Sequence, residues 1–197
     1  MPNCLDFNIW KPFNKKLARK LLKLSYFKKY IIFISSNGSS DERKGFDFLL
    51  KAIQILNFKD LHLIVIGSLS YSHRKIIPTS FSVFNKINSK DINFLRKIYS
   101  VADVIVAPST LESFGQVVVE AASCNVPAVV FKNTGLANII KHKKTGYVAE
   151  YKNYKDLANG VEWCLKKKKI NIRKDSKKYF SENIIVNNYL KFFKSVL

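Results

Sequence analysis

Residues 108–127, PSTLESFGQVVVEAASCNVP, contain the strongest structural signal in this chain. Directly before them, residues 103–107 (DVIVA) form a short β-branched run that is typical of a strand buried on both faces of a parallel sheet. Residues 116–123 lack Gly and Pro and favour a helix that begins near Gly115. The order of strand, polar loop and helix places the loop at the carboxyl edge of a sheet, where open α/β folds bind their ligands.

The chemistry of this loop suits an anion. Gly115 has no Cβ, so a ligand can approach the backbone closely. The amides of Ser113, Phe114, Gln116 and Val117 lie at the start of the predicted helix, where free N–H groups and the helix dipole favour phosphate oxygens. The loop is therefore predicted to bind a phosphorylated ligand.

Two carboxylates flank the predicted phosphate site. Glu112 precedes the helix, and Glu120 lies inside it, roughly 7 Å beyond the amides at about 1.5 Å per residue. One acid on each side of a diphosphate suits two sets of sugar hydroxyls. The alternative is that Glu112 is a solvated loop residue and Glu120 a surface residue of the helix.

The pattern P-S-x-x-E-S-F-G-x-x-x-x-E-A, with seven residues between Glu112 and Glu120, resembles the Glu-x7-Glu motif of the family 4 retaining glycosyltransferases. In that family the motif lies in the C-terminal, donor-binding half of a GT-B enzyme. The resemblance covers nearly the whole chain. It implies one α/β domain with a Rossmann-like, doubly wound, mainly parallel sheet. It also implies transfer of a sugar from a nucleotide diphosphate donor, with retained configuration, to a surface glycan or a lipid-linked acceptor.

A second loop, residues 35–45 (SSNGSSDERKG), follows a predicted strand and resembles the diphosphate-binding loop of the same family, which ends in Lys-Gly. The resemblance implies catalytic roles for Lys44, at the diphosphate, and for Glu112, at the donor sugar. It implies that Glu120 holds the ribose. Gly38 stands where many members have an Arg, and Arg43 is a candidate substitute. The alternative is a basic surface turn.

Two further segments resemble family elements but depart from them. Residues 81–87 resemble a strand that leads to a base-stacking Gly, and Asn85 occupies the place of this Gly. Asn tolerates positive φ better than other non-Gly residues, so the turn is expected to persist. Residues 133–136 are expected to open a helix through Ile140, but Asn138 stands where the family usually has an acid, which argues against a sugar contact.

The remaining pattern completes the alternation of strands and helices. Helices are predicted at 14–24, 46–56, 88–99, 156–165 and 181–196, with Asn14, Ser89 and Ser181 as caps. Strands are predicted at 30–34, 61–66, 128–131 and near 147, whereas residues 68–80 are expected to be irregular. The predicted organisation is a linker remnant (1–13), a nucleotide-sugar-binding domain (14–180) and a C-terminal helix (181–197).

Residues 1–13 resemble the segment that links the two halves of these glycosyltransferases, so the acceptor-binding half is expected to be missing. The chain would then be a domain fragment, a split subunit or the product of a broken gene, and a separate acceptor-domain chain is a candidate partner. In the family the C-terminal tail crosses to the other half. Some of the aromatic face of the last helix is therefore expected to be exposed.

Composition leaves other function classes open. Thirty-four Lys and Arg against 14 Asp and Glu give a net charge of +20, which suits nucleic acid, an anionic membrane surface or a phosphorylated ligand. No nucleic-acid-binding module is recognised, which argues against nucleic acid. No Asp-x-Asp pair is present, so neither a metal nor another cofactor is expected. A non-catalytic donor-binding module and a basic nucleic-acid or membrane binder remain the alternatives.

The cysteines and hydropathy predict a location. Cys4, Cys124 and Cys164 are widely spaced and are predicted to be reduced thiols. No apolar run approaches the roughly 18 residues that cross a bilayer. The expectation is a cytoplasmic protein with possible peripheral contact at the inner face of the membrane.

Overall fold

The computed structural model describes residues 2–85, 91–167 and 171–196. The described residues form six strands, which are β1 (Lys29–Ile34), β2 (Leu61–Ile66), β3 (Ser80–Phe84), β4 (Val104–Ala107), β5 (Ala128–Phe131) and β6 (Gly146–Ala149). The α-helices of the described residues are α1 (Lys15–Leu21), α2 (Phe46–Ile55), α3 (Tyr71–Ile76), α4 (Ile92–Val101), α5 (Gln116–Ser123), α6 (Tyr154–Lys166), α7 (Ile172–Phe180) and α8 (Glu182–Val196).

The strands form one sheet in the order β3-β2-β1-β4-β5-β6, and every neighbouring pair is parallel. Strand order reverses between β1 and β4, where Ile31 pairs with Val104. The predicted doubly wound parallel sheet is therefore confirmed. The carboxyl ends of β1 and β4 border the crevice in which such sheets bind ligands.

Both faces of the sheet are covered, because neighbouring residues of one strand pack into different cores. Tyr30 and Ile32 of β1 join a cluster with residues of α4 and α5. Ile31 and Phe33 join a cluster with residues of α2 and α6. This is why the strand sequences are continuously apolar instead of alternating.

Several boundaries differ from the predictions. Residues 71–76 are helical because the Ser70 side chain accepts a hydrogen bond from the amide of His73 and caps α3. Helix α7 was not predicted, and the Asn171 side chain caps it. Ser181 ends α7 and directly precedes α8. Residues 137–139 form only a 3-10 turn, since their amides bond three residues back.

Helix α4 begins at Ile92, and the Asp91 side chain caps it by accepting from the amide of Phe94. The predicted cap, Ser89, lies outside the described residues. The predicted N-terminal cap of α1 is confirmed, since the Asn14 side chain accepts from the amide of Leu17.

Residues 2–14 form no helix or strand of more than a single bridge, yet they are part of the core. Leu5, Phe7 and Trp10 are buried, and Leu5 bridges Ser181. Arg173 of α7 donates to the carbonyls of Phe7 and Trp10. The N-terminal segment is thereby tied to the C-terminal helices.

The C-terminal helix exposes apolar side chains, as expected. Ile185 is buried, whereas Phe192, Phe193 and Val196 are more than half exposed. None of the helices in the described part of the chain is long and apolar enough to cross a membrane.

Candidate functional site

The candidate site lies between the loops that follow β1 and β4. Both loops leave the carboxyl edge of the sheet at the reversal of strand order. They contact each other through consecutive residues. The carbonyl of Arg43 accepts a hydrogen bond of 2.8 Å from the amide of Thr110. The ammonium of Lys44 lies 2.6 Å from Oε2 of Glu112.

Gly45 allows this contact. Its φ of +68° lies in the left-handed region, and a Cβ at this position would stand 2.0 Å from the carbonyl oxygen of Pro108. No L side chain fits there without moving the backbone of the other loop. The Arg-Lys-Gly sequence at residues 43–45 therefore joins the two loops through a carbonyl, an ion pair and a close backbone approach.

The Lys44–Glu112 pair is accessible from the crevice. The side chain of Lys44 is 26% exposed and that of Glu112 is 24% exposed. An ammonium has three donors, and a carboxylate has more than one acceptor position. Both groups can therefore bind a ligand without losing their mutual contact.

Helix α5 presents free amides beside this pair. Gly115 is the N-cap residue of α5, at the predicted start of the helix, with φ +87°, and it has no side chain that could cap the helix. None of the amides of residues 113–117 donates a hydrogen bond to another described residue. Free N–H groups at a helix N-terminus, together with the helix dipole, favour an anion.

The loop after β5 supports the same site. The amide of Gly135 donates a 2.8 Å hydrogen bond to the carbonyl of Glu112. A Cβ on Gly135 would stand 1.9 Å from the carbonyl oxygen of Ser113. Gly135 and Asn138 share the lining of a cavity of about 290 Å³ with Ser113 and Phe114. This loop departs from the family pattern in sequence, but it adjoins the predicted site.

Glu120 is held by a residue that the sequence analysis did not assign to the site. The hydroxyl of Tyr99 in α4 donates a 2.7 Å hydrogen bond to Oε2 of Glu120. Burial raises the pKa of Glu120 to about 7, and the hydrogen bond from Tyr99 opposes this shift. Glu120 is therefore neither a solvated surface acid nor fully ionised at neutral pH.

This raised pKa predicts a pH-dependent stability. The ordinary pKa is 4.5, so the folded protein holds a proton on Glu120 that the unfolded chain has already released. The contribution of Glu120 to the free energy of unfolding should therefore fall as the pH rises from about 4.5 to about 7, by up to about 3 kcal/mol. Urea denaturation at about pH 5 and about pH 8 measures this change.

The matched control is Glu120→Gln, whose amide does not titrate. The free energy of unfolding of the wild type, taken relative to that of this variant, should fall across the window. Burial lowers the pKa of His62 to about 4, but His62 is common to both proteins and cancels in the difference. Equal pH dependence in the two proteins would contradict an ionisable, buried Glu120.

The other residues that were predicted to bind the sugar nucleotide lie in different environments. The Arg43 guanidinium forms a two-point ion pair with Asp41, with distances of 3.0 Å and 2.9 Å, and it is largely exposed. A Cβ at Gly38 would stand 1.9 Å from Oγ of Ser68, so an Arg cannot simply replace Gly38 here.

Asn85 is exposed and follows β3, and it is not among the described residues with positive φ. The persistence of a glycine-like turn at Asn85 is therefore not observed.

His73 also contributes to the architecture of the β1 loop. One ring nitrogen lies 2.9 Å from Oγ of Ser39, and the other lies 3.0 Å from Oδ1 of Asp47. The imidazole thus links the loop to α2 and α3. Neither His73 nor Tyr99 could be assigned from sequence, because their partners are 34 and 21 residues away in the chain.

The predicted thiols are free: Cys4 is exposed, and Cys124 and Cys164 are buried. Burial raises the pKa of Cys124 to about 11 and that of Cys164 to about 12. The two buried thiols are therefore protonated at neutral pH.

Comparisons with protein families, curated proteins and solved structures all identify glycosyltransferases. Residues 21–184 match the family described as Glycosyl transferases group 1. An uncharacterised glycosyltransferase of Haemophilus influenzae is 25% identical over 173 residues, which cover 83% of this chain and 48% of that protein. The capsular polysaccharide biosynthesis glycosyltransferase CapM of Staphylococcus aureus is 27% identical over 93% of this chain and 50% of that protein.

A solved structure has the same fold. The Anabaena protein HepE, in complex with UDP and glucose, superimposes with a TM-score of 0.77 at 18% identity, over 98% of this chain and 56% of that chain. The present chain thus spans about half the length of the curated relatives that it matches. The family match and the sheet order agree: the chain belongs to the group 1 glycosyl transferases and has a Rossmann-like α/β fold of the GT-B type.

Proposed function

We propose that the crevice between the β1 and β4 loops binds a nucleotide diphosphate sugar and that the protein takes part in transferring this sugar. The observation that carries the proposal is the Lys44 ammonium, 2.6 Å from Glu112, together with the amides of residues 113–117, which donate to no other described residue. This arrangement provides positive charge and N–H donors for a diphosphate, and acids for hydroxyl groups.

The proposed chemistry concerns the leaving group. In the transfer, the bond between the anomeric carbon and the diphosphate oxygen breaks, and its electron pair stays on the diphosphate. A hydroxyl oxygen of the acceptor forms the new bond, and its proton is released. Lys44 and the α5 amides stabilise the charge that grows on the diphosphate, which favours the transition state over the ground state.

The two acids have separate roles in this proposal. Glu112 accepts hydrogen bonds from the donor sugar, and Glu120 accepts them from the ribose, with Tyr99 keeping its carboxylate in place. We propose that configuration is retained and that no divalent cation is required. EDTA should then leave the transfer rate unchanged.

The relatives suggest which substrates to test first. HepE binds UDP and glucose, and CapM is named for capsular polysaccharide biosynthesis. We therefore propose a uridine diphosphate sugar as donor and a surface glycan or lipid-linked sugar as acceptor. The acceptor-binding groups would come from residues outside this chain or from a partner chain, at the inner face of the membrane.

Calorimetry tests the donor site directly. UDP should bind more than about tenfold tighter than UMP, because the second phosphate adds charge-assisted hydrogen bonds with Lys44 and the α5 amides. GDP and ADP, titrated in parallel, identify the preferred base. No measurable heat with any of the three nucleoside diphosphates would contradict the proposal.

The variant Tyr99→Phe tests whether Glu120 contributes to nucleotide binding and not only to the stability of the fold. Losing the hydroxyl removes the hydrogen bond that opposes the raised pKa of Glu120, so the carboxylate ionises at higher pH. UDP affinity in the variant should therefore reach its plateau at a higher pH than in the wild type. Unshifted profiles would show that Glu120 does not contact the ribose.

A further inference from the structure

Helix α1 exposes part of its apolar side chains as well as its lysines. Leu22 packs against the core, whereas Leu17 and Leu21 are 46% and 54% exposed. Arg19 is buried, and it donates to the carbonyl of Val101 and to the carboxylate of Asp103. A partly buried ion pair therefore ties the helix to Asp103.

The segment after α1 adds exposed aromatic side chains. Phe27 is 89% exposed and Tyr26 is 50% exposed. The Arg19 guanidinium donates to the carbonyl of Tyr26, which holds this segment against α1. The exposed leucines and these aromatic residues thus belong to one region, named here the α1 surface (residues 16–29).

The α1 surface is strongly basic. Residues 7–40 contain eight Lys and Arg and no Asp or Glu. Exposed lysines in the α1 surface that form no ion pair with other described residues are Lys16, Lys20, Lys23 and Lys29. Asp103, which directly precedes β4, is neutralised by Lys15 and Arg19, and Asp60 is an exposed acid beside Lys29.

We propose that the α1 surface docks the protein on an anionic lipid bilayer. The exposed apolar side chains would enter the headgroup region, and the surrounding lysines would attract anionic lipid. The proposal deepens the peripheral membrane contact included in the proposed function, but it does not depend on donor binding. Charge complementarity favours anionic lipid over a neutral surface, and exposed aromatic groups favour a bilayer over a soluble anion.

The position of this surface leaves the donor site accessible. Lys15 and Arg19 bond to the carbonyls of Ala102 and Val101, at the amino end of β4. The candidate donor site lies at the carboxyl end of the same strand. A bilayer bound to the α1 surface would therefore contact the edge of the sheet that lies opposite the crevice.

Vesicle sedimentation tests the proposal on the full chain. Vesicles of phosphatidylcholine with about one third phosphatidylglycerol should bind the protein at least about tenfold more strongly than pure phosphatidylcholine. Raising the salt from about 0.1 M to about 0.5 M should reduce this binding. Equal binding to the two kinds of vesicle, or none to either, would overturn the proposal.

Substitutions within the α1 surface test whether this surface makes the contact with the bilayer. Leu21→Asn with Phe27→Ser should lower the partition coefficient at least about tenfold, and Lys16→Gln with Lys20→Gln and Lys23→Gln should do the same. All five side chains are exposed, so thermal melting should be unchanged. UDP affinity, measured separately, should also be unchanged, so a failure here is distinguishable from a failure of the donor site.

The control variants carry the same kinds of substitution at positions outside the α1 surface. Lys51→Gln, Lys155→Gln and Lys178→Gln together remove three charges from exposed sites on α2, α6 and α7. Phe193→Ser removes an exposed aromatic group from α8. Both controls should retain vesicle binding. Equal losses in a control and its α1 counterpart would assign the binding to net charge or to α8 and overturn the proposal.

Discussion

Lys44→Ala is expected to weaken the binding of UDP, or of whichever nucleoside diphosphate is preferred, by about 100-fold. The ammonium would make charge-assisted hydrogen bonds to the diphosphate, and each such bond contributes about 1.5–3 kcal/mol. Its charge also stabilises the leaving group, so the transfer rate constant should fall by a further factor of about 100. Calorimetry measures the first effect, and steady-state kinetics with a complete acceptor system measures the second.

This substitution has a second consequence that must be separated from the first. Removing Lys44 leaves the partly buried Glu112 without its partner, and an unpaired acid repels the diphosphate. The double variant Lys44→Ala/Glu112→Gln removes both charges. If Lys44 binds phosphate directly, UDP affinity in the double variant stays well below that of the wild type.

Arg43→Ala is the matched control for a cation in the same loop. Arg43 is engaged with Asp41 and largely exposed, so its loss should weaken UDP binding by less than about fivefold. Equal losses in Arg43→Ala and Lys44→Ala would show that the loop acts through its general positive charge, and the specific role of Lys44 would be wrong.

The elements that sequence predicted well are those with local causes. The strands β1, β2, β4 and β5 are continuous apolar runs, and Gly115 marks the start of α5 by lacking a Cβ. Once these strands are parallel, the loops after them must meet at one edge. The proximity of residues 43–45 to residues 108–112 follows from this order, although the individual contacts do not.

The elements that sequence missed depend on distant partners. Arg19 of α1 is buried because it pairs with Asp103, more than 80 residues away, whereas Leu17 and Leu21 are exposed. The sequence left two alternatives for Glu120, a surface acid or a ribose ligand. The sequence pattern does not indicate its hydrogen bond with Tyr99. The unsuitability of position 38 for Arg depends on Ser68, which belongs to another loop. Such contacts cannot be inferred from spacing alone.

The other large effect is expected at Gly45. Gly45→Ala should lower the free energy of unfolding by about 2–5 kcal/mol, which combines left-handed backbone strain with steric overlap. For a domain of this size, the melting temperature should fall by roughly 5–15 °C. UDP binding should also be lost in the fraction that stays folded, because the overlap with the carbonyl oxygen of Pro108 forces the two loops apart.

Gly45→Asn distinguishes the two causes. Asn adopts positive φ more readily than Ala, so it relieves most of the backbone strain, but its Cβ meets the same carbonyl oxygen at 2.0 Å. If the close approach of the loops is decisive, Gly45→Asn loses UDP binding as completely as Gly45→Ala does. Recovery of binding by Asn would mean that only backbone conformation matters. The contact between Gly45 and Pro108 would then not be what brings Lys44 to Glu112.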